Sequence, residues 1–107
     1  MPLRKVHQNL DPASTLLKAM VNAHRLNVLC LLSQGGKNVE ELEGIIGLSQ
    51  SALSQHLARL RRDGLVKTRR EAQTIGYSLA GDEALTLMHS LAGIYGAENL
   101  PVKSAHI

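Results

Sequence analysis

Apolar residues recur at helical spacing in five stretches of the chain and alternate in a pair of short stretches before the last of these. Leu16, Leu17 and Met20 follow Asp11-Pro12, which reads as a cap and first-turn pair, and predict a helix over residues 12–21. Asn22 ends it and caps a second helix over residues 23–34, in which Leu26, Leu29, Cys30 and Leu32 make most of the circumference apolar and which Gly35-Gly36 stops. Asn38 and Glu41 have capping-box spacing, and Val39, Leu42, Ile45 and Ile46 mark a short third helix closed by Gly47. Ser49 caps a fourth, whose Leu53, Leu57 and Leu60 share one face and whose end is set by Gly64.

The period then changes from helical to alternating. Residues 65–70 and 74–79 read as strands, with Ile75, Tyr77 and Leu79 inward, joined by a turn at Glu71-Ala72-Gln73 that lacks the usual Gly or Asn. Asp82-Glu83, favourable at the positive end of a helix, opens a fifth helix with the stripe Leu85, Met88, Leu91, Ala92 and Tyr95, ended by Gly96. Residues 97–107 show no periodicity, and residues 1–11 and 97–107 are expected to be mobile tails around a single ordered domain, residues 12–96.

The third and fourth helices, joined around Gly47-Leu48, have the form of a helix-turn-helix. If Leu53, Leu57 and Leu60 face the core, about 100° per residue turns Ser51, Ser54, Gln55, Ala58, Arg59 and Arg62 outward, with Gln50 near the leading edge. A glutamine amide can pair bidentately with adenine, and serine hydroxyls can meet base edges or phosphates. Gln50, Ser51, Ser54 and Gln55 are therefore the candidate base readers.

Charge strengthens this expectation by its placement. The formal net charge is only +3, yet six of the twelve Lys and Arg residues (Arg59, Arg61, Arg62, Lys67, Arg69, Arg70) fall within residues 59–70, opposed there by Asp63 alone. Ser49, Arg59, Arg62, Lys67, Arg69 and Arg70 are candidate backbone anchors, supplying affinity without sequence information. A solvated charged face is the bland alternative for the cations alone. His56, about 60° from the leucine line, is expected to be half-buried and hydrogen-bonded.

Composition limits the remaining options. Hydrophobic residues make up 44% of the 107, but Phe and Trp are absent and there are two Tyr, so the core must be aliphatic and base stacking on single strands is disfavoured. No apolar run approaches the roughly 18 to 20 residues of a membrane span, and the N-terminus lacks the apolar run of a signal peptide, so a cytoplasmic location and no membrane partner are expected. A single cysteine, Cys30, excludes an intrachain disulfide framework. No nucleophile, base and orienting residue are arranged for catalysis and no phosphate-cradling loop is present, so an enzyme is not expected, nor a cofactor.

The stretches LLKAM, RLNVLCLL, LSQSALSQHLARLR and TRREAQTIGYSL, with a later IYG, resemble the ArsR/SmtB family of dimeric winged-helix repressors, in particular the branch that holds NolR, HlyU and BigR. The resemblance covers about residues 13–96. It implies a mainly α winged helix-turn-helix of about five helices with a two-stranded wing, forming a homodimer through the first and last helices and repressing from a palindromic promoter operator in double-stranded DNA. Leu16, Leu17, Met20, Leu85, Met88, Leu91, Ala92 and Tyr95 are the interface candidates, although periodicity alone equally allows them to be buried within one protomer. A two-fold dimer sets its reading helices roughly 34 Å apart.

The family's sensor positions are mostly unfilled. Where relatives carry paired metal-binding cysteines in the third helix, this chain has VEELEGI; in the last helix Asp82 and His89 stand without the remaining ligands, with Glu98 and His106 following in the tail, so no metal site is expected. Of the dithiol pair known in the BigR-like subgroup, Cys30 holds the first position and Gly96 stands at the second. Cys30 is thus either a small core residue or a single redox- or sulfide-responsive thiol, and any effector is unidentified. A winged-helix protein-interaction module is the alternative of a different class. Gly76 stands where relatives often carry an aromatic.

Overall fold

The computed structural model of the protein describes residues 3–95. Six helices, α1 (Leu3–His7), α2 (Leu10–Met20), α3 (Ala23–Leu32), α4 (Val39–Ile46), α5 (Gln50–Arg62) and α6 (Glu83–Ile94), surround a small antiparallel sheet of β1 (Lys37–Asn38), β2 (Val66–Glu71) and β3 (Thr74–Leu79). The strand order is β1-β3-β2, so the wing has three strands where the sequence pattern gives two. β1 pairs Lys37 with Tyr77 and Asn38 with Gly76, while β2 runs from Val66 opposite Leu79 to Glu71 opposite Thr74.

Capping chemistry sets the helix ends. The Asn22 side chain accepts from the amides of His24 and Arg25, at 2.9 and 3.1 Å, and so starts α3. Asn38 and Glu41 exchange reciprocal bonds of 2.8 and 2.9 Å, the capping box that starts α4. Gly47 then ends α4 at φ +84°, a left-handed conformation open to glycine at little cost. Ser49 Oγ accepts from the Ala52 amide at 3.2 Å and starts α5 directly after that turn.

Three boundaries differ from the sequence pattern. α2 begins at Leu10 with Asn9 at its cap, which moves Asp11 and Pro12 into the first turn, where the missing Pro12 N–H has no intrahelical partner to lose. α3 ends at Leu32, two residues early, in a succession of tight turns that leads to Gly35 at φ +130°. Residues 3–7, expected within a mobile tail, form α1, with Leu3, Val6 and Leu10 all exposed. Gly96 and the tail 97–107 lie outside the described residues.

The core is aliphatic. Val28, Leu29 and Leu32 of α3 meet Leu42 of α4 and Leu53, Leu57 and Leu60 of α5, with Ala19, Met20, Leu65, Val66 and Ala84 closing around them. Leu53 and Leu60 are fully buried and Leu57 is 1% exposed, so the leucine line anchors α5 as its spacing predicts. Each such side chain contributes roughly 1.5 to 3 kcal/mol by leaving water. The hairpin turns through Ala72, whose positive φ of 58° at the first central residue has the sense of a II′ turn, and Thr74 Oγ1 donates to the Glu71 carbonyl at 3.0 Å. Any residue other than Gly pays conformational strain there, which is why the turn was poorly marked in the sequence.

Candidate nucleic-acid interface

Burying Leu53, Leu57 and Leu60 turns the opposite side of α5 to solvent. Ser51, Ser54, Gln55 and Ala58 are exposed on that side, and Ser49 and Gln50 are exposed at the helix start. All four candidate readers are therefore accessible in the N-terminal half of the helix, while the cations follow in its last turn and along the wing.

The cations divide into free and tethered groups. Asp63, at the end of α5, has a side chain only 11% exposed and holds Arg59 Nε at 2.9 Å and Arg62 Nε at 3.3 Å. Hydrogen bonds from Arg59 and then Arg62 keep the Asp63 carboxyl below its usual range. Arg59, one-third exposed, is thus partly engaged in holding the helix end, whereas Arg62 remains two-thirds exposed. On the wing, Arg69 lies 3.8 Å from Glu71, both widely exposed. That carboxylate lies one residue beyond the basic cluster, outside the stretch that Asp63 alone opposes.

Strand geometry separates the wing cations as well. Alternation along β2 puts Lys67 and Arg69 on one face and Arg70 on the face shared with Val66 and Thr68. All three are exposed, but they do not form a single row. Arg70's face is also that of Tyr77, the partner of Thr68 across the ladder. Tyr77 joins Ser54, Ala58, Arg61 and Arg62 in lining an open cleft of about 410 Å³ between wing and helix. Arg61 and Tyr77 thus adjoin the candidate surface without being among the residues that the leucine line turns outward; Arg61 falls on the same side of the helical wheel as Ser54, and Tyr77 stands on β3.

The interface candidates are spread between surface and core. Leu17 and Tyr95 are 51% and 82% exposed, and Leu85, Leu91 and Ala92 are half-buried. Leu16 and Met88 pack against the protomer's own core, and Met20, at 5% exposure, belongs to it. Val21 and Ile94 add exposed apolar surface at the ends of α2 and α6 that the stripes did not include.

Cys30 is half-buried on α3, and burial pushes its thiol pKa up, which keeps it protonated at neutral pH and lowers its reactivity. His89 is exposed. Among the described residues no three His, Cys, Asp or Glu side chains converge to hold a metal, and no helix is long and apolar enough to cross a membrane. Glu98 and His106 lie outside the described residues. Beneath Gly76 there is room only in the ordinary sense: a Cβ there would sit 3.7 Å from the Arg69 carbonyl and from the Glu71 carboxylate.

Residues 22–68, which run from the cap of α3 through α5 into β2, match the model of the bacterial regulatory proteins of the arsR family. Over 99 residues the chain is 48% identical to the transcriptional activator HlyU of Vibrio cholerae, covering 92% of each protein. It is 47% identical over 90 residues to the nodulation protein NolR of Rhizobium meliloti, covering 84% of this chain and 74% of that one. The crystal structure of the transcriptional repressor BigR from Xylella fastidiosa superimposes with a TM-score of 0.83 at 36% identity, covering 89% of this chain and 97% of the other.

Proposed function

The chain belongs to the arsR family of bacterial regulatory proteins, and from that premise we propose that it is a transcriptional repressor whose homodimer reads a palindromic operator in double-stranded DNA. One observation carries this reading: the exposed face of α5 holds Gln50, Ser51, Ser54 and Gln55 and is flanked by Arg61, Arg62 and the basic wing, with the buried leucine line behind it. In the major groove Gln55 and Gln50 offer paired donor and acceptor groups to base edges, the serines fill short gaps, and Ala58 permits close approach. Ser49, Arg62, Lys67 and Arg69 hold phosphates, Arg59 does so with the part of its guanidinium that Asp63 leaves free, and Arg70 reaches the duplex from the α5-facing side of the wing.

The dimer is proposed to form through α2 and α6, with Leu17, Tyr95, Leu85, Leu91 and Ala92 at its centre and Leu16 and Met88 behind them; Met20 supports that surface from within the core. Exposed Val21 and Ile94 extend the same apolar area. Two reading helices related by a two-fold axis recognise inverted half-sites about one helical turn apart, and the bound dimer blocks the promoter. Relatives bear names of both signs, an activator in Vibrio cholerae and a biofilm growth-associated repressor in Agrobacterium fabrum; occlusion by a two-fold dimer is the mechanism that needs no further contact.

Selecting bound duplexes from a random DNA library tests reading and symmetry together. The expected product is an inverted repeat with half-site centres about 10 to 10.5 base pairs apart or a multiple of that. An unsymmetrical motif, or no enrichment, would overturn the proposal.

A further inference from the structure

Behind the outward face of α5 lies a contact that recognition of bases does not itself require. The Arg25 guanidinium, at the start of α3, closes the end of α2: Nε donates to the Ala19 carbonyl at 2.5 Å, and Nη2 to those of Lys18 at 3.3 Å and Val21 at 3.4 Å. These carbonyls belong to the last turn of a helix, where no following turn supplies donors. The remaining nitrogen, Nη1, lies 3.4 Å from Nδ1 of His56 on α5. The His24 ring stands on the same side, its centroid 5.5 Å from that of His56.

A guanidinium can only donate, so the contact is attractive when Nδ1 accepts, which requires a neutral His56 carrying its proton on Nε2. His56 sits between Gln55, a candidate reader, and Leu57, locked in the core. Both residues ride on α5, so a shift of the helix at His56 also shifts Gln55.

Resting on the reading of α5 as the DNA-reading helix, we propose that Arg25 and His56 are a positioning pair that fixes this helix against the α2–α3 corner, and that protonation of His56 opens the pair and lowers discrimination between operator and random DNA. The two groups that act on the ring by charge, Arg25 and His24, push the same way. From α3, Arg25 and His24 face it; α2 contributes its carbonyl end, with Lys18 the titratable residue of that turn; on α5, Arg59 and Asp63 act on Arg25 with opposite signs. Burial, Arg25 and His24, in that order, hold the His56 pKa below the ordinary imidazole value of about 6.5, so the ring is neutral at pH 7 and charges only on acidification. Once charged, Nδ1–H points at another donor and two cations confront each other.

The extra proton also makes the protein more attractive to any polyanion. Affinity for random duplex is then held or raised as pH falls, while the advantage of the operator shrinks. A merely structural role for the pair does not produce that divergence.

The test is anisotropy titration of the full chain with a selected operator duplex and a random duplex, at fixed salt, from about pH 8 down past the midpoint at which NMR shows His56 taking its proton. The operator-to-random affinity ratio of the natural protein should fall about three- to tenfold on acidification. His56→Gln, which keeps an acceptor but cannot take a proton, should hold its ratio within about twofold. A flat ratio in the natural protein with both duplexes bound, or the same fall in His56→Gln, would overturn the pair while leaving the DNA reading intact. Failure to bind either duplex at any pH would overturn the DNA reading itself. A measurement free of DNA decides the pair separately: in an NMR titration His56 should take its proton below the ordinary value and move up toward it in Arg25→Gln, and an unmoved midpoint contradicts the pairing.

Discussion

Arg59 and Asp63 are joined across one turn at the end of the reading helix, Nε to Oδ2 at 2.9 Å, with the carboxylate largely shielded from solvent and Arg62 on its other oxygen. The single acid within the basic cluster therefore organises two of its arginines rather than merely diluting their charge. Asp63→Asn is expected to cost about 1 kcal/mol or less of stability at neutral pH, because Arg59 and Arg62 are partly hydrated and screened. The same change is expected to tighten random-duplex binding by freeing both arginines. The folded-state pKa of Asp63 lies below its unfolded value, so its stabilisation is complete above about pH 5 and is lost as pH falls through the ordinary carboxylate range of about 3.9 toward the lower folded value. Urea denaturation at about pH 7 and about pH 3 should show the difference between natural protein and variant shrinking in acid.

Readers and anchors separate by substitution. Gln55→Ala should weaken operator binding by about 1 to 3 kcal/mol and leave random-duplex affinity nearly unchanged. Arg69→Ala should weaken both about equally, by less than a fully free cation would, since Glu71 already draws on its charge. Equal losses from the two variants would contradict the assignment of roles.

The proposed dimer can be probed without damaging the protomer, because Leu17 is half exposed and outside the core cluster. Leu17→Glu should preserve the circular dichroism spectrum while raising the dimer dissociation constant about tenfold or more, the consequence of withdrawing one apolar anchor from the interface. Sedimentation equilibrium reads the change. An unaltered association constant would move the interface elsewhere.

Cys30 offers a test of the sensor question. Half-buried, with its thiol pKa raised by burial, it should behave as a small packing residue. Cys30→Ser should leave operator affinity and its response to peroxide or sulfide unchanged; a lost response would assign the thiol a regulatory role.

Much of this fold was legible because its signals are local. Asn22, the Asn38–Glu41 box, Gly47 and Ser49 act within four residues of themselves, and Leu53, Leu57 and Leu60 announce their shared face by spacing alone. What escaped depends on distant partners or on weak local patterns. β1 is two residues long and exists through its pairing with β3, nearly forty positions later. α1 carries Leu3 and Val6 at helical spacing, but these side chains meet no core, and so short a pattern was indistinguishable from a tail. Arg61 and Tyr77 become neighbours only when the wing folds beside α5, and the split of Arg70 from Lys67 and Arg69 follows from strand alternation that a count of charges does not contain.

The account depends most on the exposed face of α5 and the basic wing meeting a nucleic-acid backbone. Titrating the chain with a random double-stranded DNA at several salt concentrations measures this directly, since each neutralised phosphate contributes about −0.9 to the slope of log affinity against log salt. A dimer using Arg62, Lys67, Arg69 and Arg70 should give a slope of about −4 to −7. A slope near zero would contradict the claim and favour a winged helix that binds protein.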